Sequence, residues 1–252
     1  MKIRHTLLLL ISSGFIASAV HAQEKPGINV DELVAKNLEA KGGADALKSL
    51  QSVKLTGKVL VNEGQFELAY SQTKKRPSSV RTEASVQGLT EVQAYDGEEG
   101  WKISPFGGRK DPEKMSEDDT KGLIEDAELD GPLVNWKEKG SAVEYLGTED
   151  VDGTEAHKLK VTRKNGDVSY VYLDPDHFLE IRILTQRIER GTQVEVETDL
   201  GDYEKVGGVF VPFAVEEGRK GSSDKQKIII EKGEPNVPAD DAMFHFPASA
   251  SK

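Results

Sequence analysis

The chain has 252 residues, 37% of them hydrophobic and 31% charged, with a mean hydropathy of -0.50. That is the balance of a globular protein rather than a membrane-embedded or disordered one. No cysteine is present, which excludes disulfide staples, thiolate catalysis, cysteine-ligated zinc and iron–sulfur centres. The net charge of -11 and pI near 5.1 argue against binding to nucleic acid, or to anionic lipid by charge alone.

Residues 1–22 read as a leader. Lys2 and Arg4 form a basic start, Leu7 to Val20 is mostly apolar, and Val20-His21-Ala22 ends in a small residue suited to cleavage. The stretch is too short and too well terminated for a membrane span and matches a secretory signal peptide. No cysteine stands at the cleavage point to carry a lipid. The remainder, 23–252, is therefore expected as a soluble periplasmic monomer of one domain.

The first expected element is helical. Asn29 can cap a helix starting at Val30, with Asp31 and Glu32 in its first turn and Leu33, Val34 and Leu38 on one side. Gly42-Gly43 breaks it, and Ala44 to Leu50 makes a second short helical piece. From Val53 the period changes to two. Apolar residues alternate through Val53–Val61, Phe66–Tyr70, Val80–Val86, Val92–Tyr95 and Trp101–Ile103, with tight turns between, as in an antiparallel meander.

An acidic, helical interruption follows. Ser116 is placed to cap it, and Leu123, Ile124 and Ala127 give a modest stripe before Gly131-Pro132 and then Leu133 and Trp136. Strand periodicity resumes at Val143 and runs to Lys232, with Asn165-Gly166 as the clearest two-residue hairpin turn. The sum is about a dozen strands, two opening helices and one helical insertion.

An antiparallel sheet of that size curls as twist accumulates. The expected fold is mainly β: a curved sheet of eleven to twelve strands forming an incomplete barrel, with helices in its concave face. The residues here resemble a family. Glu32-Leu33-Val34-Ala35, Lys41-Gly42-Gly43-Ala44-Asp45-Ala46-Leu47 and Ser52-Val53-Lys54-Leu55-Thr56-Gly57 are similar to the opening of the periplasmic lipoprotein-carrier-like proteins, the outer-membrane lipoprotein-sorting superfamily. Tyr172-Leu173-Asp174-Pro175 resembles its central strands, and Gly208-Val209-Phe210-Val211-Pro212 its late hairpin. The resemblance implies a half-barrel wrapped around helices, with a cavity for acyl chains. It transfers no gating arginine, and the acidic stretch from Asp111 to Glu128 departs from the close carriers.

The expected function is binding or carriage of a hydrophobic ligand, either a lipid or the acyl chains of a lipoprotein. The expected cavity wall comprises Val59, Phe66, Leu68, Tyr70, Val80, Val92, Trp101 and Ile103. The expected lid comprises Leu123, Ile124, Leu133 and Trp136. The alternatives are an envelope sensor or partner-binding module on the same fold, and a carboxylate-based hydrolase. No nucleophile elbow, zinc-protease signature, phosphate loop or dinucleotide fingerprint occurs. Catalysis, a cofactor and a metal are not expected. Asp174-Pro175-Asp176-His177 reads as a turn, and Glu125, Asp126, Glu128 and Asp130 as a solvated face.

Overall fold

The computed structural model describes residues 29–62, 64–189 and 191–247; the leader expected at 1–22 lies outside them. The described chain forms one antiparallel sheet of thirteen strands. Its first half is β1 (Ser52–Val61), β2 (Phe66–Lys75), β3 (Ser79–Val86), β4 (Leu89–Tyr95), β5 (Gly100–Ser104) and β6 (Arg109–Lys114). Its second half is β7 (Ala142–Val151), β8 (Thr154–Thr162), β9 (Val168–Leu173), β10 (Glu180–Glu189), β11 (Thr192–Val206), β12 (Val209–Arg219) and β13 (Lys225–Pro235). The helices are α1 (Val30–Ala40), α2 (Ala44–Ser49) and α3 (Glu117–Ala127).

The strand order is β6-β5-β4-β3-β2-β1-β13-β12-β11-β10-β9-β8-β7. The first and last strands are thus neighbours at the centre, while β6 and β7 form the two open edges. This order dictates what fills the trough. Residues 115–141 leave one edge and must reach the other, so they cross the sheet. The polypeptide supplies its own filling from the connection that the topology makes unavoidable.

The caps fall where the sequence places them. The Asn29 side chain accepts from Asp31 N–H at 2.9 Å, and Ser116 Oγ from Asp119 N–H at 3.1 Å. Each thereby satisfies an orphan donor of a first helical turn. Strand β6 was not expected, since it lies in the acidic stretch and contains Pro112; an edge strand tolerates the missing donor. The turn expected at Asn165-Gly166 joins β8 to β9, but a two-residue type I′ turn needs positive φ at both positions and only Gly166 has it. Asp152-Gly153 instead has φ of 50° and 90° and carries that turn geometry between β7 and β8.

Both faces of the sheet are covered in part. On the inner face, α1 and residues 133–136 fill the β7–β9 side: Leu33, Leu133, Val143, Leu159, Val161, Val171 and Leu173 form one buried cluster. α3 covers the other side, where Leu123 and Ala127 pack on Val80 and Tyr95. Its close approach depends on Gly100, where an added Cβ would lie 2.6 Å from the Thr120 hydroxyl. α2 seats Leu47 near the centre. On the outer face, residues 236–247 form a strap. Ser52 Oγ donates to Val237 O at 2.7 Å, Lys75 Nζ to Ala239 O at 2.8 Å and Arg81 Nη1 to Met243 O at 3.0 Å. Trp101 Nε1 donates to Phe244 O at 2.6 Å.

Candidate functional site: an internal cavity with an apolar girdle

Between the two fillings the trough stays open. A cavity of about 920 Å³ runs over β1, β2 and β10–β13 beneath α3. Its girdle follows from register. Val59 stands opposite Leu68 on β2 and Ile228 on β13; Ile228 faces Val215, and Val215 faces Leu200. Directly paired residues share a face, so these five aliphatic side chains form one row across five strands, and all five border the cavity. Gly57 permits the tight β1–β13 approach behind this row, since an added Cβ there would lie 2.0 Å from Ile229 O.

The cavity is open at the hairpin end. Phe66 and Phe106 border it yet are 58% and 45% exposed. At the opposite end an ionic clasp ties the fillings to the sheet. Arg76 donates to Leu47 O and Leu50 O, each at 2.9 Å, and to Asp130 at 2.8 Å. Lys41 meets Glu180 at 3.0 Å and Asp130 O at 3.3 Å. The Arg76 guanidinium holds the Asp130 carboxyl below the usual carboxylate range against the opposing effect of burial. Sequence reasoning assigned no role in the site to Arg76, Lys41 or Glu180. A lone charged residue at a strand end carries no local signal for a clasp whose partners lie up to 139 positions away.

Polar groups also reach the interior. Arg163 pairs with Glu128 at 3.1 Å, and Arg187 stands 3.9 Å from Glu125. Burial pushes the Glu125 carboxyl up to about 7. Glu125, Glu128 and Asp130 are half-buried rather than on the solvated face expected from sequence, whereas Asp126 is exposed as expected. Glu125, Asp126 and Glu128 border the cavity, and Asp130 is held in the clasp.

The expected site residues separate into groups. Val59, Phe66, Leu68, Tyr70 and Leu123 border the cavity. Val80 is on the inner face but lies under α3, in the cluster with Tyr95, Leu123 and Ala127. Val92, Trp101 and Ile103 do not border it and are corrected: they lie on the outer face with Ala94 and Phe246. The pairing is decisive, because Thr82 and Gln93 face each other and border the cavity, whereas Ala94 and Trp101 pair on the opposite side. The strap makes the outer face a second apolar environment, so along β4 the apolar alternation marks the outside. Of the expected lid, Ile124 is 41% exposed. Leu133 is fully buried in the α1 cluster, against which Trp136 packs; both fill the trough beside the cavity rather than cover it.

No known protein family matches the chain by sequence, and no curated protein does. Solved structures do match. A putative outer-membrane lipoprotein-sorting protein domain from Vibrio parahaemolyticus superposes with a TM-score of 0.58 at 11% identity, over 86% of this chain and 97% of that one. The chain has the lipoprotein-sorting fold. A LolA-superfamily protein from Nitrosomonas europaea gives a TM-score of 0.57 at 11% identity, over 86% and 98% of the two chains. A DUF1329-family protein from Desulfovibrio piger gives 0.55 at 14%, over 86% and 97%. In this chain the lipoprotein-sorting fold is built with thirteen strands, and no helix among the described residues is long and apolar enough to cross a membrane.

Proposed function

We propose that residues 23–252 act in the periplasm, after export by the leader, as a single-domain carrier that shields the acyl part of a lipid or lipoprotein from water. The observation that carries this reading is the apolar girdle Leu68–Val59–Ile228–Val215–Leu200 around a cavity that the chain's own helices leave unfilled. Its proposed wall includes Val59, Phe66, Leu68 and Tyr70, and Leu123 is its proposed cover. The lipoprotein-sorting fold of the Vibrio and Nitrosomonas proteins is consistent with that role.

The energetics suit reversible binding. Each buried methylene is worth about 0.8 kcal/mol, so a sixteen-carbon chain gains on the order of 12 kcal/mol before ordering and association costs are subtracted. Strand β1, which carries Val59, spans Ser52–Val61. That is about 30 Å at the usual strand rise, long enough to lie alongside an extended acyl chain.

The test is gentle purification from the native envelope, followed by mass analysis of organic extracts. Co-purifying acylated molecules in near-stoichiometric amount are the expected result. A protein that emerges free of them, and binds no added long-chain lipid, overturns the proposal.

A further inference from the structure

Among the charged groups around the cavity, one stands apart. Lys74 on β2 points inward, in phase with Leu68, Tyr70 and Gln72, and borders the cavity. Among the described residues its ammonium makes no hydrogen bond and no ion pair. The other cations nearby are committed: Lys41 to Glu180, Arg163 to Glu128, and Arg187 beside Glu125. The charges it feels are Asp126, Lys41 and Glu128, and desolvation outweighs them, pulling its pKa down. Asp126, the acid that acts on it most strongly, is exposed and closes no ion pair with it. Lys74 is half-buried, and its unpartnered ammonium faces the open space of the cavity, where an anionic group could meet it.

Its position sets the orientation of what fills that space. Phe66 marks the mouth, and Lys74 lies eight residues further along the same strand, about 26 Å deeper at the usual rise. The girdle residues Leu68 and Val59 lie between. A single anionic group placed at Lys74 would therefore direct an attached chain past the girdle toward Phe66 and Phe106.

We propose that Lys74 is the head-group subsite of this cavity, and that the ligand is a free amphiphile with one small acidic head, carboxylate or phosphate, bound head-deep with its tail toward the mouth. This rests on the carrier reading and sharpens it: a chain attached to a folded protein cannot send its head to the closed end. Beside it Gln72 Nε2 donates to Thr82 Oγ1 at 3.2 Å, so the cavity's polar neighbour is neutral and Lys74 is its charged donor without a partner.

The experiment titrates delipidated protein at pH 7.5 with hexadecanoic acid, hexadecyl phosphate and hexadecanol. A charge-assisted hydrogen bond predicts that both acids bind about 10-fold to 100-fold tighter than the alcohol. The Lys74→Met variant is expected to lose that preference while keeping its affinity for hexadecanol. Preference for only one of the two acids identifies which head the site takes and sustains the proposal. Equal affinity of wild-type protein for acids and alcohol overturns the head-group subsite and leaves the carrier reading standing. A preference that survives in Lys74→Met overturns it as well. Failure of all three ligands to bind overturns both readings. Should Lys74→Met fail to fold, Lys74→Gln makes the same comparison, and a preference that survives there equally overturns the proposal.

Discussion

Replacing Glu125 with glutamine is expected to stabilise the protein at alkaline pH and to do much less in acid. Glu125 faces Arg187 at 3.9 Å, with Arg163, Asp126 and Asp167 as its other charged neighbours, and burial outweighs the two cations. The folded protein therefore holds this proton up to about 7, whereas the unfolded chain releases it near the ordinary 4.5. Between those values the folded state binds more protons, so this group's contribution to stability falls as pH rises through 4.5 to 7 and stays low above. The rise from 4.5 to about 7 sets a ceiling of about 3 kcal/mol. Since 24% of the side chain is accessible, water in the cavity relieves part of the cost, and about 1–2 kcal/mol is the expected size. Urea denaturation of Glu125→Gln and wild type at pH 8 and pH 5 measures it. The variant should be more stable at pH 8, with a melting temperature raised by about 2–8 °C, and close to wild type at pH 5. Equal destabilisation at both pH values would mean that the carboxylate is charged and stabilised by Arg187, and would refute the reasoning.

Further substitutions separate the faces of the sheet. Trp101→Ala should cost about 3–5 kcal/mol of stability by urea denaturation, because the ring is 1% exposed and its N–H holds the strap at Phe244 O. Acyl-ligand affinity of the folded fraction should be unchanged; a selective loss of affinity would return Trp101 to the cavity wall. The pair Phe66→Ser and Phe106→Ser should change stability by no more than about 0.5 kcal/mol each, as for other exposed positions. Uptake of a fluorescent acyl probe, followed by stopped flow, should slow several-fold, and an unchanged rate would place the mouth elsewhere.

The sequence by itself determined the elements. Period-two alternation, Asn29 and Ser116 as caps and the Gly42-Gly43 break located the helices and most strands, because these signals depend on neighbours a few residues away. It also brought Val59, Leu68 and Tyr70 to the inner face, since β1 and β2 are apolar inward. Tertiary structure alone decided which side of β4 and β5 looks inward: the strap at 236–247 buries the outer face, so alternation there carries no sign. It also decided the fates of the acids on α3 and of Lys74. Whether a charge is solvated, clasped or left facing a cavity depends on strands brought together from distant parts of the chain, and on a connection forced across the trough because β6 and β7 lie at opposite edges of one sheet.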